Sequence, residues 1–331
     1  MESSRARRRR RARPSRRRPL LYTALAVVAV VGGTAAGTAY VRTHTHSGGG
    51  AVSSAATPSA SSSAPASGEA SVEPVAEPTV DRDALLADAM ESVAVADGAD
   101  VSVAVLDLDS GESASYGDGT FDTASIVKVD ILAALLLQAQ DAGRGLTATE
   151  KAHAKAMIEN SDNASASALW QAIGRADGLD AANERFGLTD TEGGDGALWG
   201  LTQTTAADQL TLLGQVFGDD AESELSGVSR TYLQGLMEQI AAGQHWGVSA
   251  AADGSRWALK NGWLPRSTTG LWDINSIGRV RVDGHDCLVA VLSDGNPTKA
   301  KGISLVEAAA KAAVSVFAED ASSATVSASA S

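Results

Sequence analysis

The chain has 331 residues, of which 27 are Lys or Arg and 40 are Asp or Glu, and its formal net charge is −13. Ten of the arginines lie in residues 1–18. The part that follows Arg42 therefore carries sixteen basic and thirty-nine acidic residues, a net charge of −23. Such an acidic chain repels phosphate backbones, which argues against nucleic acid as a partner. The one cysteine, Cys287, lies in an apolar run typical of a buried strand and has no second cysteine with which to pair.

The N-terminal region has the pattern of a membrane-targeting segment. A basic segment, residues 1–18, precedes 22 uncharged residues, Leu20–Val41. As a helix, this stretch would be about 33 Å long, enough to cross a bilayer. The segment 19–42 is thus predicted to be either a retained transmembrane anchor or a signal peptide that is cleaved after its small residues. In both cases the positive-inside rule places the rest of the chain on the outer face of a membrane.

Two further segments have the composition of disordered chain. Residues 43–80 are mostly Ser, Ala, Gly and Pro, and residues 319–331 are of similarly low complexity. Neither contains enough apolar surface to offset the entropy of ordering, so 43–80 is predicted to be a flexible stalk and 319–331 a disordered tail. The remaining residues, 81–318, are predicted to form one folded domain.

Strand patterns lie at both ends of this domain and helical patterns in its middle. The predicted helices cover residues 83–95, 125–174 with two interruptions, 205–217, 231–242 and 304–317. The predicted strands are a hairpin within 101–119, with its turn at 109–111, and three C-terminal strands within 256–263, 271–282 and 285–295. The pattern predicts an α+β fold, an antiparallel sheet with flanking terminal helices and an all-helical lobe inserted between its second and third strands.

Ser125 and Lys128 are the first candidates for chemistry. They lie at the start of a predicted helix, three residues apart, so both project from one face. A serine hydroxyl needs a base to become a nucleophile, and a lysine serves when burial lowers its pKa. Because serine is abundant, the pair by itself is weak support for a catalytic role.

Two later motifs strengthen the case. Ser161-Asp162-Asn163 interrupts two helical stretches, and Lys260-Asn261-Gly262 lies in an apolar strand. Taken singly, the first is an ordinary helix cap and the second a lysine beside a turn. Together with Ser125-Ile-Val-Lys128 they follow the order of the S-x-x-K, S-D-N and K-T-G motifs, and the chain resembles class A β-lactamases and related penicillin-binding serine hydrolases throughout its folded region.

The resemblance implies a role for each matched side chain. Ser125 would be the acylated nucleophile and Lys128 the base that accepts its proton. Ser161 would pass a proton to the leaving nitrogen, helped by the field of Lys260. No cofactor is expected. The resemblance implies a monomer that binds a β-lactam or a cell-wall peptide. This monomer would be held at a bacterial cell membrane or, if the signal segment is cleaved, secreted.

The resemblance also implies a set of binding groups. Backbone N–H groups of Ser125 and Trp263 would form the oxyanion hole. Asn163 would bind the acyl side chain of the substrate, with Asn261 and Gly262 as further substrate-binding residues. Asp162 is predicted to be structural.

The chain departs from the family pattern at three positions. Asn261 replaces a hydroxyl residue that helps to bind the substrate carboxylate. The arginine that supports this carboxylate has no clear counterpart, with Arg266 and Arg279 as candidates that also suit ordinary surface positions. The Glu-x-x-Leu-Asn loop, whose glutamate activates the hydrolytic water, is replaced by residues 187–200, which offer Asp190, Glu192 and Asp195. Of these, Glu192 is the predicted deacylating base.

A second interpretation stays open, that of a catalytically silent envelope protein that uses the fold to bind cell-wall peptide or a protein partner. The complete set of serines and lysines argues against it, and the missing glutamate argues for it. The five histidines show no ligand spacing within one element, so no metal site is predicted.

Overall fold

The computed structural model describes residues 80–254 and 257–317. The predicted basic segment, the anchor or signal segment, the C-terminal tail and, apart from Val80, the predicted stalk all lie outside these residues. Within the part of the chain that is described, no helix is both long enough and apolar enough to cross a membrane.

Eight α-helices and seven strands follow one another in the described residues. The helices are α1 Arg82–Met90, α2 Val127–Asp141, α3 Ala148–Glu159, α4 Asn163–Ile173, α5 Arg175–Phe186, α6 Ala206–Phe217, α7 Gly227–Met237 and α8 Lys299–Ser315. The strands are β1 Asp100–Asp107, β2 Ser113–Tyr116, β3 Phe121–Asp122, β4 Gln203–Thr204, β5 Trp257–Pro265, β6 Trp272–Val282 and β7 His285–Asn296.

The main sheet is five-stranded and antiparallel, in the order β2-β1-β7-β6-β5. Successive side chains of a strand point to opposite faces, and here both faces are covered. Val103 packs with α1 and α8 in one hydrophobic cluster, whereas Ala104 packs with the helical lobe in the other. Burial on both faces explains why the central strand β7 contains an unbroken apolar run, residues 287–292, rather than alternating apolar and polar residues.

The helical lobe is inserted between β2 and β5, and α2 lies at its centre. Twelve of the fifteen residues of α2 are buried, because α3, α4, α5 and α7 pack around it. The predicted fold class is therefore confirmed: terminal helices lie on one face of an antiparallel sheet, and the inserted lobe lies on the other.

The element boundaries differ from the sequence prediction in several places. Helix α1 ends at Met90 rather than at residue 95, and α7 ends at Met237 rather than at residue 242. Helix α5 was not predicted, since Gly178 interrupts its pattern. A Cβ on this residue would lie 1.7 Å from the Ile173 carbonyl oxygen, so the close packing of α4 and α5 requires glycine. Helix α7 begins earlier than predicted because Ser226 caps it, and α8 begins earlier because Thr298 caps it.

A two-stranded ribbon connects the two regions that form the site. Strand β3, just before Ser125, pairs with β4, which follows the loop 187–200. The Thr123 N–H also donates to the Thr202 carbonyl at 2.9 Å. The ribbon therefore fixes the loop directly beside the turn that carries Ser125.

Candidate active site

Ser125 lies in a short 3-10 turn, Ala124–Ile126, that leads into α2. The preceding residue, Ala124, has a φ of 48°, in the left-handed region that residues with a Cβ rarely adopt. Such a conformation costs about 1–3 kcal/mol and persists only where the surrounding structure enforces it. Here it presents the Ser125 hydroxyl at the beginning of α2, where the helix dipole favours developing negative charge.

Lys128 is fully buried, and its ammonium is surrounded by oxygen atoms. Its Nζ lies 3.0 Å from Ser125 Oγ, 2.9 Å from Ser161 Oγ, 2.7 Å from the Ser161 carbonyl oxygen and 2.8 Å from Asn163 Oδ1. The predicted pairing of Ser125 with Lys128 across one helical turn is thus present in the structure, with the two atoms at hydrogen-bonding distance.

Burial lowers the pKa of Lys128 from its usual 10.5 to about 7, while the negative charge of Asp162 acts in the opposite direction. Removing an ammonium from water disfavours its charged form. Near neutral pH a large fraction of this lysine is therefore unprotonated, the state in which it accepts the proton of a serine hydroxyl.

Ser161 lies between α3 and α4 and receives hydrogen bonds from both lysines. Its Oγ is 2.9 Å from Lys128 Nζ and 3.2 Å from Lys260 Nζ. Ser161 has a φ of 56°, so it is, like Ala124, held in the left-handed region. Asp162 accepts from the Ser165 N–H at 2.7 Å and caps α4, which is a structural role.

Lys260 is also fully buried and joins the site from strand β5. Its Nζ also donates to the Asn261 carbonyl oxygen at 2.8 Å. Burial, and then the nearby charge of Lys128, hold the pKa of Lys260 well below its usual value. Two lysines and two serines from α2, the α3–α4 connection and β5 therefore meet at one point.

Strand β5 closely approaches the turn that carries Ser125, Ala124–Ile126, at Gly262. A Cβ on this residue would lie 2.7 Å from the Thr123 carbonyl oxygen and 3.0 Å from the Ser125 backbone nitrogen. The absent side chain thus allows the strand to reach the Ser125 N–H, which places Trp263 beside the same cavity.

Asn261 does not face the cavity, and the expectation that its side chain binds substrate is corrected. Its Nδ2 donates to the Gln244 and Trp246 carbonyl oxygens at 2.8 and 3.0 Å, and its Oδ1 accepts from Ser276 Oγ at 2.6 Å. Asn261 is fully buried. It stabilises the far side of β5, because adjacent residues of a strand point to opposite faces.

A cavity of about 590 Å³ opens over Ser125. Its walls come from the turn of Ser125, the first turn of α4, the end of the loop 187–200 and the end of β5. The fifteen lining residues are Ala124, Ser125, Asn163, Ser167, Ala197, Leu198, Trp199, Gly200, Leu201, Trp263, Leu264, Pro265, Arg266, Ser267 and Thr268. None of them is acidic, so within the described residues this cavity holds no carboxylate that could activate water.

The predicted deacylating base, Glu192, does not line the cavity. Its backbone pairs with that of Gln203 at 2.9 and 3.0 Å, and its side chain is exposed to solvent. The two other acids of the loop, Asp190 and Asp195, are likewise exposed and absent from the lining. The loop instead brings Leu198 and Trp199 to the cavity.

The two candidate arginines are clearly separated. Arg266 lines the cavity, pairs with the buried Asp122 and lies 2.9 Å from Asp273. Arg279 pairs with Glu238 at 3.4 Å and lies 3.7 Å from Asp286, outside the cavity lining. Of the two candidates, only Arg266 lines the cavity.

The structure also shows site residues that sequence reasoning missed. The ring of Trp199 lies over Lys128, with Nζ 5.0 Å from the ring centroid. Its indole N–H donates to Ser167 Oγ at 3.1 Å. No motif marks either residue, because both contacts depend on how the loop folds back onto α4.

A cluster of two aspartates and one histidine lies away from this cavity. Asp107, Asp109 and His285 bring ligand atoms within 4.8 Å of one another. Asp107 accepts from Ser110 Oγ and contacts His285 Nδ1 at 2.9 Å, and Asp109 accepts from the Asp286 N–H. Internal contacts thus account for the arrangement.

The site combines a serine one helical turn before a buried lysine with a second serine and a second lysine at the junction of sheet and lobe. This combination defines the class of penicillin-recognising serine hydrolases. The model of the β-lactamase enzyme family matches residues 85–152 and 140–317. The chain belongs to this family. Among curated proteins, none matches it by sequence.

Solved structures agree on the fold. PBP-A is 19% identical with a TM-score of 0.61 and covers 71% of this chain and 96% of its own. A β-lactamase from Xanthomonas campestris is 20% identical with a TM-score of 0.55, and the match covers 70% of this chain and 95% of that one. The TLA-1 extended-spectrum β-lactamase is 16% identical with a TM-score of 0.61, and the match covers 71% of this chain and 98% of that one. At these identities the likeness concerns the fold.

Proposed function

We propose that this protein is a serine hydrolase whose Ser125 forms an acyl-enzyme with β-lactams or with D-Ala-ended cell-wall peptides. The observation that carries the proposal is the hydroxyl of Ser161, which receives hydrogen bonds from Lys128 and Lys260 while Lys128 also reaches Ser125. This arrangement supplies a base for the nucleophile and a proton route to the leaving group. A point mutant of PBP-A, a structural neighbour, has been solved as an acyl-enzyme complex with penicillin G.

In the acylation step, Ser125 Oγ attacks the carbonyl carbon of the substrate amide and gives its proton to neutral Lys128. The oxyanion that forms is stabilised by the backbone N–H groups of Ser125 and Trp263. As the C–N bond breaks, Ser161 donates a proton to the leaving nitrogen and is reprotonated from the lysine pair. The Oδ1 of Asn163 accepts a hydrogen bond from Lys128, so its Nδ2 is the group that donates to the acyl side chain of the substrate.

Deacylation lacks a comparable base. Water must attack the ester from the cavity, and none of the fifteen residues that line the cavity is acidic. General-base catalysis is typically worth about 10²–10⁴-fold in rate. The acyl-enzyme is therefore long-lived, as in a penicillin-binding protein, or passes its acyl group to an acceptor other than water.

A silent binding protein is the second candidate, and the burial of Asn261 on the far side of β5 favours it, since one expected substrate contact is missing. The experiment that separates the two candidates is intact-mass spectrometry after addition of benzylpenicillin, followed over time. A stoichiometric adduct on Ser125 supports the hydrolase, and its absence supports the silent protein.

The matched controls are Ser125→Ala, which should abolish the adduct, and Ser267→Ala, which changes another serine of the same cavity and should retain it. Labelling of Ser125→Ala at the wild-type level would refute the assignment of the nucleophile.

We also propose that the domain acts on the outer side of a bacterial cell membrane. The support is the sequence pattern of a basic segment, residues 1–18, before the uncharged residues Leu20–Val41. Cell fractionation with protease added to intact spheroplasts tests this. Full protection of the domain from the protease would contradict it.

A further inference from the structure

The contact between Trp199 and Lys128 has no role in the mechanism described above. The indole ring lies over the lysine Nζ at 5.0 Å and lines the cavity, whereas Lys128 itself does not line it and is fully buried. The ring therefore separates the lysine from the space that solvent and substrate enter.

Two residues of α4 hold the lysine and the tryptophan. Asn163 and Ser167 are four residues apart and so share one face of the helix. Asn163 accepts a hydrogen bond from Lys128 Nζ at 2.8 Å, and Ser167 accepts one from the Trp199 indole N–H at 3.1 Å. The lysine and the ring are thus fixed by successive turns of one helix.

The loop that carries Trp199 is also anchored beside the turn that carries Ser125. Trp199 begins a 3-10 turn, Trp199–Leu201, and the carbonyl of the next residue, Thr202, accepts the Thr123 N–H at 2.9 Å. The ring position is consequently tied both to α4 and to the segment that presents Ser125.

The charged groups around Lys128 are few. Asp162, before α4, favours its protonated form, and the charge of Lys128 in turn helps to lower the pKa of Lys260, on β5. The ring is neutral, and its π face attracts a cation far less strongly than the water it displaces solvates one. Exclusion of water is therefore the larger effect of the ring.

We propose that Trp199, anchored by Ser167, is a positioning residue that shields Lys128 from water and so sets the pH at which this lysine accepts a proton. This inference rests on the proposed function, in that Lys128 matters as the base for Ser125. The burial that lowers the pKa of Lys128 to about 7 is consistent with such shielding.

The test is a direct titration of Lys128 by NMR, with lysine labelled at 13Cε and the signal assigned by its loss in Lys128→Met. The full-length protein is used, so that the readout does not depend on activity. Wild type should titrate near pH 7. In Trp199→Ala, water replaces the ring and solvates the ammonium, so its proton affinity should rise at least about tenfold.

Two variants separate the ring from its surroundings. Trp199→Phe keeps an aromatic ring beside Nζ but loses the N–H that donates to Ser167, so its midpoint should rise by less than that of Trp199→Ala. Leu198→Ala removes the neighbouring apolar side chain from the same cavity wall, without touching the ring, and should also titrate as wild type does. A midpoint unchanged in folded Trp199→Ala overturns the proposal, as does an equal rise in Leu198→Ala.

Ser167→Ala serves if Trp199→Ala does not fold, because it removes only the hydroxyl that holds the indole. Its midpoint should rise, by less than that of Trp199→Ala, and an unchanged midpoint overturns the proposal. Adduct formation with benzylpenicillin is measured on the same samples. A raised midpoint in Trp199→Ala without any adduct in wild type would refute the proposed hydrolase while leaving the shielding supported, so the two failures are distinguishable.

Discussion

Gly262 and Ser125 lie in such close contact that a single methyl group separates the native arrangement from a clash. An ideal Cβ on residue 262 would be 3.0 Å from the Ser125 nitrogen and 2.7 Å from the Thr123 carbonyl oxygen. Both of these are backbone atoms, which cannot rotate away as a flexible side chain can. The distance between β5 and the turn that carries Ser125 is therefore set by this one glycine.

Gly262→Ala is expected to slow acylation strongly and to destabilise the domain by about 1–3 kcal/mol, the usual cost of overpacking. The strand must move outwards, which separates the Trp263 N–H from the Ser125 N–H. Stopped-flow acylation and urea denaturation measure the two effects. Gly235→Ala is the control, since its Cβ would meet nothing within 4 Å and a helical alanine should add about 0.5–1 kcal/mol of stability. Wild-type acylation by Gly262→Ala would contradict this.

Asp162→Asn should shift the acidic limb of the acylation rate to lower pH. The carboxylate raises the pKa of Lys128, so its removal leaves the lysine neutral at lower pH than in wild type. Asparagine is as good a helix cap as aspartate, so α4 should remain intact. Rates measured from pH 5 to pH 9 test the shift.

Asp162→Ala separates the charge from the cap. It should show the same shift in the acidic limb, together with a loss of about 1 kcal/mol in stability because the hydrogen bond from the Ser165 N–H is removed. An acidic limb that stays at its wild-type pH in both variants would show that Lys128 is not the titrating base.

The free energy of unfolding should increase as pH rises from about 7 to about 10. Because the folded pKa of Lys128 lies below the ordinary 10.5, the unfolded chain binds more protons in this window, which gives stability a positive pH slope. Lys128→Met should reduce the slope, whereas Lys151→Met, at an exposed position, should leave it unchanged. Urea denaturation at several pH values measures it, and identical slopes in wild type and Lys128→Met would refute the prediction.

Arg266→Ala should destabilise the domain more at pH 8 than at pH 5. Arg266 pairs with Asp122 and lies 2.9 Å from Asp273, two acids that are almost fully buried. Without it both carboxylates are uncompensated at pH 8, at a cost of roughly 1–3 kcal/mol after allowance for the partly exposed arginine. Burial already raises the pKa of Asp273 to about 6, so at pH 5 protonation relieves much of this cost.

Arg279→Ala is the matched control for Arg266→Ala. Its partners Glu238 and Asp286 are partly exposed, so it should cost less than about 1 kcal/mol at either pH. Acylation by benzylpenicillin, which carries a carboxylate, should weaken in Arg266→Ala and remain unchanged in Arg279→Ala. Equal losses in the two variants would remove the assignment of Arg266 to the site.

The penicillin adduct should persist after excess drug is removed, and Glu192→Gln should leave its lifetime unchanged. Glu192 is exposed and does not line the cavity over Ser125. Intact-mass spectrometry at increasing times measures the decay. Rapid decay in wild type that Glu192→Gln slows would show that the loop 187–200 moves to bring this carboxylate to the ester.

The sequence was sufficient for the features that depend on local periodicity. The spacing of Ser125 and Lys128 by one helical turn places them on one face wherever the helix lies. In the structure, Lys128 Nζ is 3.0 Å from Ser125 Oγ. Apolar alternation likewise located the strands of the sheet, and the helical pattern located most of the inserted lobe. Helix α5 was missed because Gly178 lowers helix propensity, and only its packing against Ile173 explains the residue.

Only the tertiary structure decided which neighbouring residues reach the cavity. Lys260 and Asn261 are adjacent in sequence, yet one contacts Ser161 and the other is bonded on the far side of β5, because the strand's rotation is fixed by pairing with β6. In the loop 187–200, the ribbon of β3 and β4 leaves Glu192 in solvent and brings Trp199 over Lys128. Such choices depend on contacts between residues far apart in the chain, which no local pattern of residues encodes.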